Sequence, residues 1–149
     1  MIAAVIALAL AAVHPAATPP KLVHFKSPSG NINCLGQKGF SGTPTFVQCV
    51  IKNSTWPVKP KRPRSCDLDW DPYTLELANR KLYVGSCRGD IGPLCVDPAN
   101  PCSTLGYGRS IDIGPIRCTS ATSGVTCRYR TSRRVGFGIA REGYRLYST

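Results

Sequence analysis

The sequence predicts an all-β fold: a small antiparallel, disulfide-stapled sandwich or barrel-like domain with much irregular loop. Three observations carry this reading. Eight cysteines lie between Cys34 and Cys127 of a 149-residue chain, and an even count in a short exported protein reads as a disulfide framework. Runs rich in β-branched and aromatic residues recur between clusters of Gly, Pro, Asn and Ser, the punctuation of short strands. No long apolar pattern of period 3.6 follows the N-terminal segment, and no repeat of fixed period is visible. The length suits one domain, expected over residues 18–149.

Taken in order, the apolar run from Ile2 to Val13 is shorter than the roughly 20 residues of a membrane span and fits the apolar core of a signal peptide. Ala9-Leu10-Ala11 and Pro15-Ala16-Ala17 both offer small-residue cleavage sites, so residues 1–17 are expected to be a signal peptide. No Lys or Arg precedes the run, which places the expected translation start further upstream. No cysteine closes the run, which argues against a lipid anchor, and the mature chain is expected to have no transmembrane segment. Leu22 to Lys26 alternates as a first strand, and Ser27-Pro28-Ser29-Gly30 is turn chemistry. Asn31 to Cys34 resumes an extended course, and Thr45 to Ile51 reads as the next strand.

The segment Trp56 to Arg64 carries Pro57, Pro60 and Pro63. Proline removes backbone donors, so this stretch is neither helix interior nor central strand, and polyproline II geometry suits it. Leu75 to Asn79 fits one helical turn or a short strand, Lys81 to Cys87 a strand, and Gly89 to Gly108 a loop. Ser110 to Cys118, Gly124 to Arg130 and Val135 to Ala140 read as three late strands, and Gly143 to Tyr147 closes the domain.

Eight cysteines allow many connectivities, and sequence alone does not choose among them. Proximity orders them as Cys34 with Cys49, Cys66 with Cys87, Cys95 with Cys102, and Cys118 with Cys127. Each bridge is worth about 2–4 kcal/mol on the unfolded-chain argument.

Every charged residue lies after the apolar segment, so the mature chain keeps the whole formal charge of +11. Two clusters stand out: Lys59, Lys61, Arg62 and Arg64, and then Arg128, Arg130, Arg133 and Arg134. This balance favours an anionic partner, whether wall polymer, lipid or nucleic acid. The competing reading is solvation of an exported protein.

The run Phe25-Lys26-Ser27-Pro28-Ser29-Gly30-Asn31-Ile32-Asn33-Cys34 resembles the opening of a family of small secreted actinobacterial proteins without established activity. Further matches are Trp56-Pro57, Cys66-Asp67-Leu68-Asp69-Trp70, Gly106-Tyr107-Gly108, Ser123-Gly124-Val125-Thr126-Cys127, Gly136 to Arg141 and Tyr144. The resemblance spans about Phe25 to Tyr147. It implies export and a disulfide-bonded β-rich domain with six family cysteines: Cys34, Cys49, Cys66, Cys87, Cys118 and Cys127. Cys95 and Cys102 then form an additional pair in an enlarged loop. The resemblance carries over no catalytic residue.

Candidate chemistry is sparse. Only His24 survives in the mature chain, in a putative strand, and oxidised cysteines supply no thiol nucleophile. Glu76 and Glu142 are the only glutamates, and nothing in the sequence places them together for glycoside hydrolysis. Asp67, Asp69 and Asp71 would share a face if extended, but Pro72 and Ala78 stand where a calcium loop needs Gly and Glu. Surface ion pairs with Lys59 to Arg64 are the expected role of these aspartates. Trp56 and Trp70 are expected in the core. Tyr107, Tyr129, Phe137, Tyr144 and Tyr147 interleave with the second basic cluster, which suits either base stacking or ordinary strands. No metal and no cofactor is expected.

The functional expectation is therefore a non-enzymatic exported domain, secreted or associated with the cell envelope, that binds an anionic surface or partner through its basic residues. One alternative is an inhibitor or host-facing ligand that meets a protein partner through the Cys95–Cys102 loop. Another is a small secreted hydrolase using His24 or a carboxylate pair.

Overall fold

Eleven strands and no helix make up the regular structure of the described residues. The computed structural model describes residues 18, 20–90, 92–96, 98, 101–132 and 134–148. The signal peptide expected at residues 1–17 lies outside the described residues, as does Arg133. The first sheet holds β1 (Val23–Lys26), β2 (Ile32–Gln37), β3 (Phe46–Ile51), β4 (Asp69–Ala78), β5 (Lys81–Arg88) and β6 (Ser103–Thr104), in the order β5-β4-β3-β2-β1-β6. The second is a meander of β7 (Ser110–Ile113), β8 (Ile116–Ala121), β9 (Gly124–Tyr129), β10 (Gly136–Ile139) and β11 (Tyr144–Tyr147), with β11 and β7 at its edges. All pairings are antiparallel except β1 with β6.

Of the two architectures expected, the sandwich is the one formed. Alternate residues of each sheet meet in one core: Phe25, Val47, Leu75 and Leu77 from the first, and Ile113, Ile116, Val125, Phe137 and Ile139 from the second. Cys34 lies directly opposite Cys49 and Cys118 directly opposite Cys127, with Cα atoms 4.1 and 4.0 Å apart. All four residues are fully buried, so each bridge also acts as a core side chain. The other two disulfides join Cys66 to Cys87 and Cys95 to Cys102, completing the order set by proximity.

One open choice is resolved and two elements differ from the sequence reading. Of the helical turn and the short strand that Leu75 to Asn79 allowed, the strand forms: Leu75 to Ala78 end the ten-residue β4, and Asn79 lies in the turn after it. Leu75 and Leu77 are buried with half-exposed Glu76 between them, a period of two rather than 3.6. Asn79 and Arg80 follow with φ of 47° and 60°, the paired positive angles of a tight I′ hairpin. Ser110 to Cys118 is two strands, not one. Gly114 has φ of 55°, and the Gly114-Pro115 turn brings Ile113 opposite Ile116, with Gly at the first central position as a II′ hairpin needs. Finally, the expected loop from Gly89 to Gly108 contains β6, whose Ser103 and Thr104 pair with Phe25 and Lys26.

Because β5 and β6 occupy opposite edges of the first sheet, the connection between them crosses one of its faces. The inner face is filled by the second sheet. On the outer face Asn33, Val50 and Thr74 are nonetheless buried, Pro93 is buried, and Gly92 lies against the Arg88 guanidinium. The crossover therefore covers that end of the outer face, and the Cys95–Cys102 bridge staples it. The proline-rich stretch after β3 has no regular element but is tied down. Trp70 Nε1 donates to Pro60 O at 3.1 Å. Arg62 donates to Cys66 O through Nε and Nη2, at 3.1 and 2.7 Å.

A candidate anion-binding face on the second sheet

Strand alternation divides β7 to β11 cleanly. Cys118, Cys127 and Phe137 point inward, so their neighbours face out. One outward row runs Asp112, Arg117, Arg128, Gly136, Tyr147, and the next runs Ser110, Thr119, Thr126, Gly138, Arg145. Four arginines, counting Arg130 just past β9, thus share a face with one aspartate.

Arg117 and Arg128 are directly opposite on adjacent strands, a like-charge juxtaposition that disfavours pairing. Asp112 offsets it. Its carboxylate accepts from Arg117 Nε at 2.7 Å and Nη2 at 2.8 Å, and lies 3.5 Å from Arg130 Nη1. The two hydrogen bonds from Arg117 hold the Asp112 carboxyl below its usual range, against the weaker effect of burial. Arg128 lies across the second sheet with its guanidinium carbon 3.5 Å from the Tyr147 ring centroid. Gly136 makes room for this, since a Cβ there would fall 2.6 Å from Arg128 Cγ.

Arg117, Arg128, Arg130, Thr119, Thr126 and Tyr129 line a depression of about 330 Å³. Guanidinium groups present planar forks that match carboxylate, sulfate or phosphate, and hydroxyls add short, adaptable hydrogen bonds. Of the residues expected to bind anions, Arg128 and Arg130 lie here. Arg134 is exposed on the β9–β10 connection. None of Lys59, Lys61, Arg62 and Arg64 lines the depression. In that first cluster Lys59 Nζ sits 5.4 Å from the Tyr73 ring centroid, and Arg62 is folded back on backbone carbonyls. Sequence reasoning misses Arg117 and Thr119 because it reads the β7–β8 hairpin as one strand, and Thr126 because an uncharged residue of β9 stands outside the charge cluster. The signal was there: the apolar phase shifts at Gly114-Pro115, from Ile111 and Ile113 to Ile116 and Cys118.

The other candidates are dispersed. His24, Leu35, Gln48 and Glu76 occupy one row on four adjacent strands, which sets His24 about 14 Å from Glu76 at about 4.8 Å per strand. Glu142 lies instead at the β10–β11 turn. Burial pushes the Glu76 carboxyl up, against the opposing pull of Gln48 and Arg88. Asp71 binds Arg88 at 2.8 Å and accepts from Tyr73 N and Thr74 Oγ1 at 2.9 and 2.7 Å. The expected ion pairs between Asp67, Asp69 or Asp71 and the 59–64 run are not formed among the described residues. Arg88 binds Asp71 because it extends from the neighbouring strand β5, whereas Arg62 is engaged elsewhere. Among the described residues no three His, Cys, Asp or Glu side chains are placed to hold a metal. The aromatic set does not form a stacking platform: Tyr129 and Phe137 are buried, Tyr144 packs on Trp56, Tyr147 carries Arg128, and Tyr107, though exposed, lies apart on the connection between β6 and β7.

The family model of a family of unknown function (DUF6636) matches residues 3–147. Neither the curated proteins nor the solved structures contain a match to this chain.

Proposed function

Because the chain belongs to DUF6636, a family of unknown function, its role is argued from its own surface, and we propose that it is a non-enzymatic exported domain that binds an anionic polymer of the cell envelope through the outer face of the second sheet. The observation that carries this reading is the convergence of Arg117, Arg128 and Arg130 with Thr119 and Thr126 on one open depression. Export is supported by the four disulfides, which persist in oxidising compartments. Wall polymer is favoured over single-stranded nucleic acid because base stacking needs exposed rings, and the arginine-lined depression offers none: Tyr129 is buried and Tyr147 is covered by a guanidinium. The dispersal of His24, Glu76 and Glu142 disfavours the hydrolase reading, since an acid and a base must both reach one substrate bond.

Immobilised polyphosphate tests the face. The oxidised protein is expected to bind at low ionic strength and release as salt rises, because counterion release sets the strength of such binding. The Arg117→Gln/Arg130→Gln variant should weaken binding about tenfold or more, with a shallower salt dependence. Retention of both variant and parent in near-molar salt would reject the proposal.

A further inference from the structure

Cations gather at the end of the sandwich that holds the β4–β5 hairpin tip. Arg80 and Lys81 sit at the tip, Lys21 precedes β1, Lys38 follows β2, and Arg130 and Arg134 lie on the connection from β9 to β10. All six are exposed.

Register and contacts place them together. Val23 lies opposite Gly36, Gln37 opposite Phe46 and Phe46 opposite Ala78, so the start of β1, the end of β2 and the end of β4 are level. Gln37 Nε2 donates to Pro20 O at 2.7 Å, which holds the chain ahead of β1 against the end of β2. The second sheet closes the group. Arg80 N donates to Tyr129 Oη at 3.0 Å and Arg80 Nη2 to Thr131 Oγ1 at 3.4 Å. A Cβ on Gly114, in the β7–β8 turn, would fall 3.2 Å from Lys38 Cγ.

The carboxylates are elsewhere. Asp69 and Asp71 open β4, Asp90 follows β5 and Glu142 lies at the β10–β11 turn, all toward the opposite end. Glu76 is half-buried within β4 and accepts from Gln48, and Asp112 is engaged by Arg117. Of the six cations only Arg130 enters an ion pair among the described residues. Like charges so grouped repel one another and raise a positive potential over that end.

The arrangement differs from the arginine-lined depression, where guanidinium forks converge from adjacent strands. From β1 to β5 is four strand spacings, about 19 Å, and packed sheets lie about 10 Å apart, so these charges cover a broad end rather than a groove. Three are lysines, compact point charges on flexible stems. Leu22, next to Lys21, leaves an apolar side chain 45% exposed among them. A plane of singly charged headgroups over an apolar interior meets such a surface without any register. A linear polymer would touch only part of it.

The chain also enters here. The apolar run Ile2 to Val13 ends eight residues before Lys21, and eight residues reach at most about 30 Å. While a bilayer holds that run, as the export reading has it, this end stays within that distance of the lipid. Resting on that reading, we infer that the domain docks this end on an anionic lipid bilayer, separately from its polymer-binding face.

Co-sedimentation with vesicles of phosphatidylcholine, alone or with an equal part of phosphatidylglycerol, tests this. The quantity read is the ratio of partitioning onto the two, because the apolar run contributes to both alike. For the oxidised chain the ratio should be large at low salt and fall toward one as salt rises. The Lys21→Gln/Lys38→Gln/Lys81→Gln variant should lower it about a hundredfold, at about fivefold per cation near an anionic surface. Lys52→Gln/Arg109→Gln/Arg141→Gln removes the same charge from exposed positions at the opposite end and should change it no more than about threefold. A parent ratio near one, or equal losses in the two variants, overturns the docking end. Polyphosphate separates this inference from the anion-binding face: the lysine variant should still bind it. If that variant loses polyphosphate as it loses vesicles, the end is a general polyanion site and the lipid assignment falls. If the Arg117→Gln/Arg130→Gln variant keeps polyphosphate while the lysine variant loses vesicles, the face falls and the docking end stands. Circular dichroism of each variant, matched to the parent, confirms that a loss is not unfolding.

Discussion

Two carboxylates show how a single residue's surroundings set the sign of its contribution. Asp112 is exposed and held ionised by Arg117. Its small contribution is present above its unfolded value and is lost as pH falls through the lowered native one. Glu76 is the reverse. Burial raises its native value above the reference of 4.5, so the native chain binds the proton more tightly than the unfolded one. The stabilisation is full below that reference and disappears as pH rises through the native value. Glu76→Gln keeps the shape and lets the amide meet Gln48, which now donates to Glu76 Oε2 at 3.0 Å. It should raise Tm at neutral pH by about 1–3 °C, with the gain vanishing in acid. A calorimetric series from pH 3 to 8 checks this, and a gain of equal size at pH 3 would mean that desolvation of the charge is not its source.

Among the elements, the bridges are not equivalent. Cys34 and Cys49 close a separation of 15 residues and lie fully buried between the sheets. Replacing both with alanine should cost about 4–5 kcal/mol, about 3 from the unfolded chain and the rest from lost packing. Cys95 and Cys102 close only 7 residues and staple a crossover on the outer face, so Cys95→Ser/Cys102→Ser should cost about 2 kcal/mol. Urea midpoints under oxidising conditions compare the two, and equal losses would show that the crossover is as deep a part of the core as the paired strands. The same contrast explains what was legible in the sequence. Adjacent-strand bridges follow from proximity, and strands such as Phe46–Ile51 announce themselves by β-branched composition. The two-residue β6 does not, because its pairing with β1 rests on backbone bonds such as Leu105 N to Lys26 O, 2.9 Å, for which any residue would serve. The candidate site was half legible. Arg128 and Arg130 stood out as a charge cluster, but their partner Arg117 is brought opposite by hairpin register, which composition does not encode.

For the whole molecule, the net charge of +11 acts on folding and on binding with opposite salt dependence. Self-repulsion of a strongly basic domain opposes its compact state and is relieved by screening. Only three ion pairs are formed among the described residues, so screening removes little attraction in exchange. The Tm of the unliganded protein should therefore rise by about 2–5 °C between 10 and 500 mM NaCl. A bound polyanion stabilises by mass action, by about 2.7 kcal/mol at a hundredfold excess over Kd, and that gain falls as salt weakens the complex. Melting curves with and without polyphosphate should be well separated at low salt and converge as salt rises, with the unliganded curve climbing toward the other. Convergence in which the unliganded Tm falls instead would show that surface attraction outweighs repulsion. The basic charge would then be a structural device, and the arginine-lined face would no longer need an anionic partner to explain it.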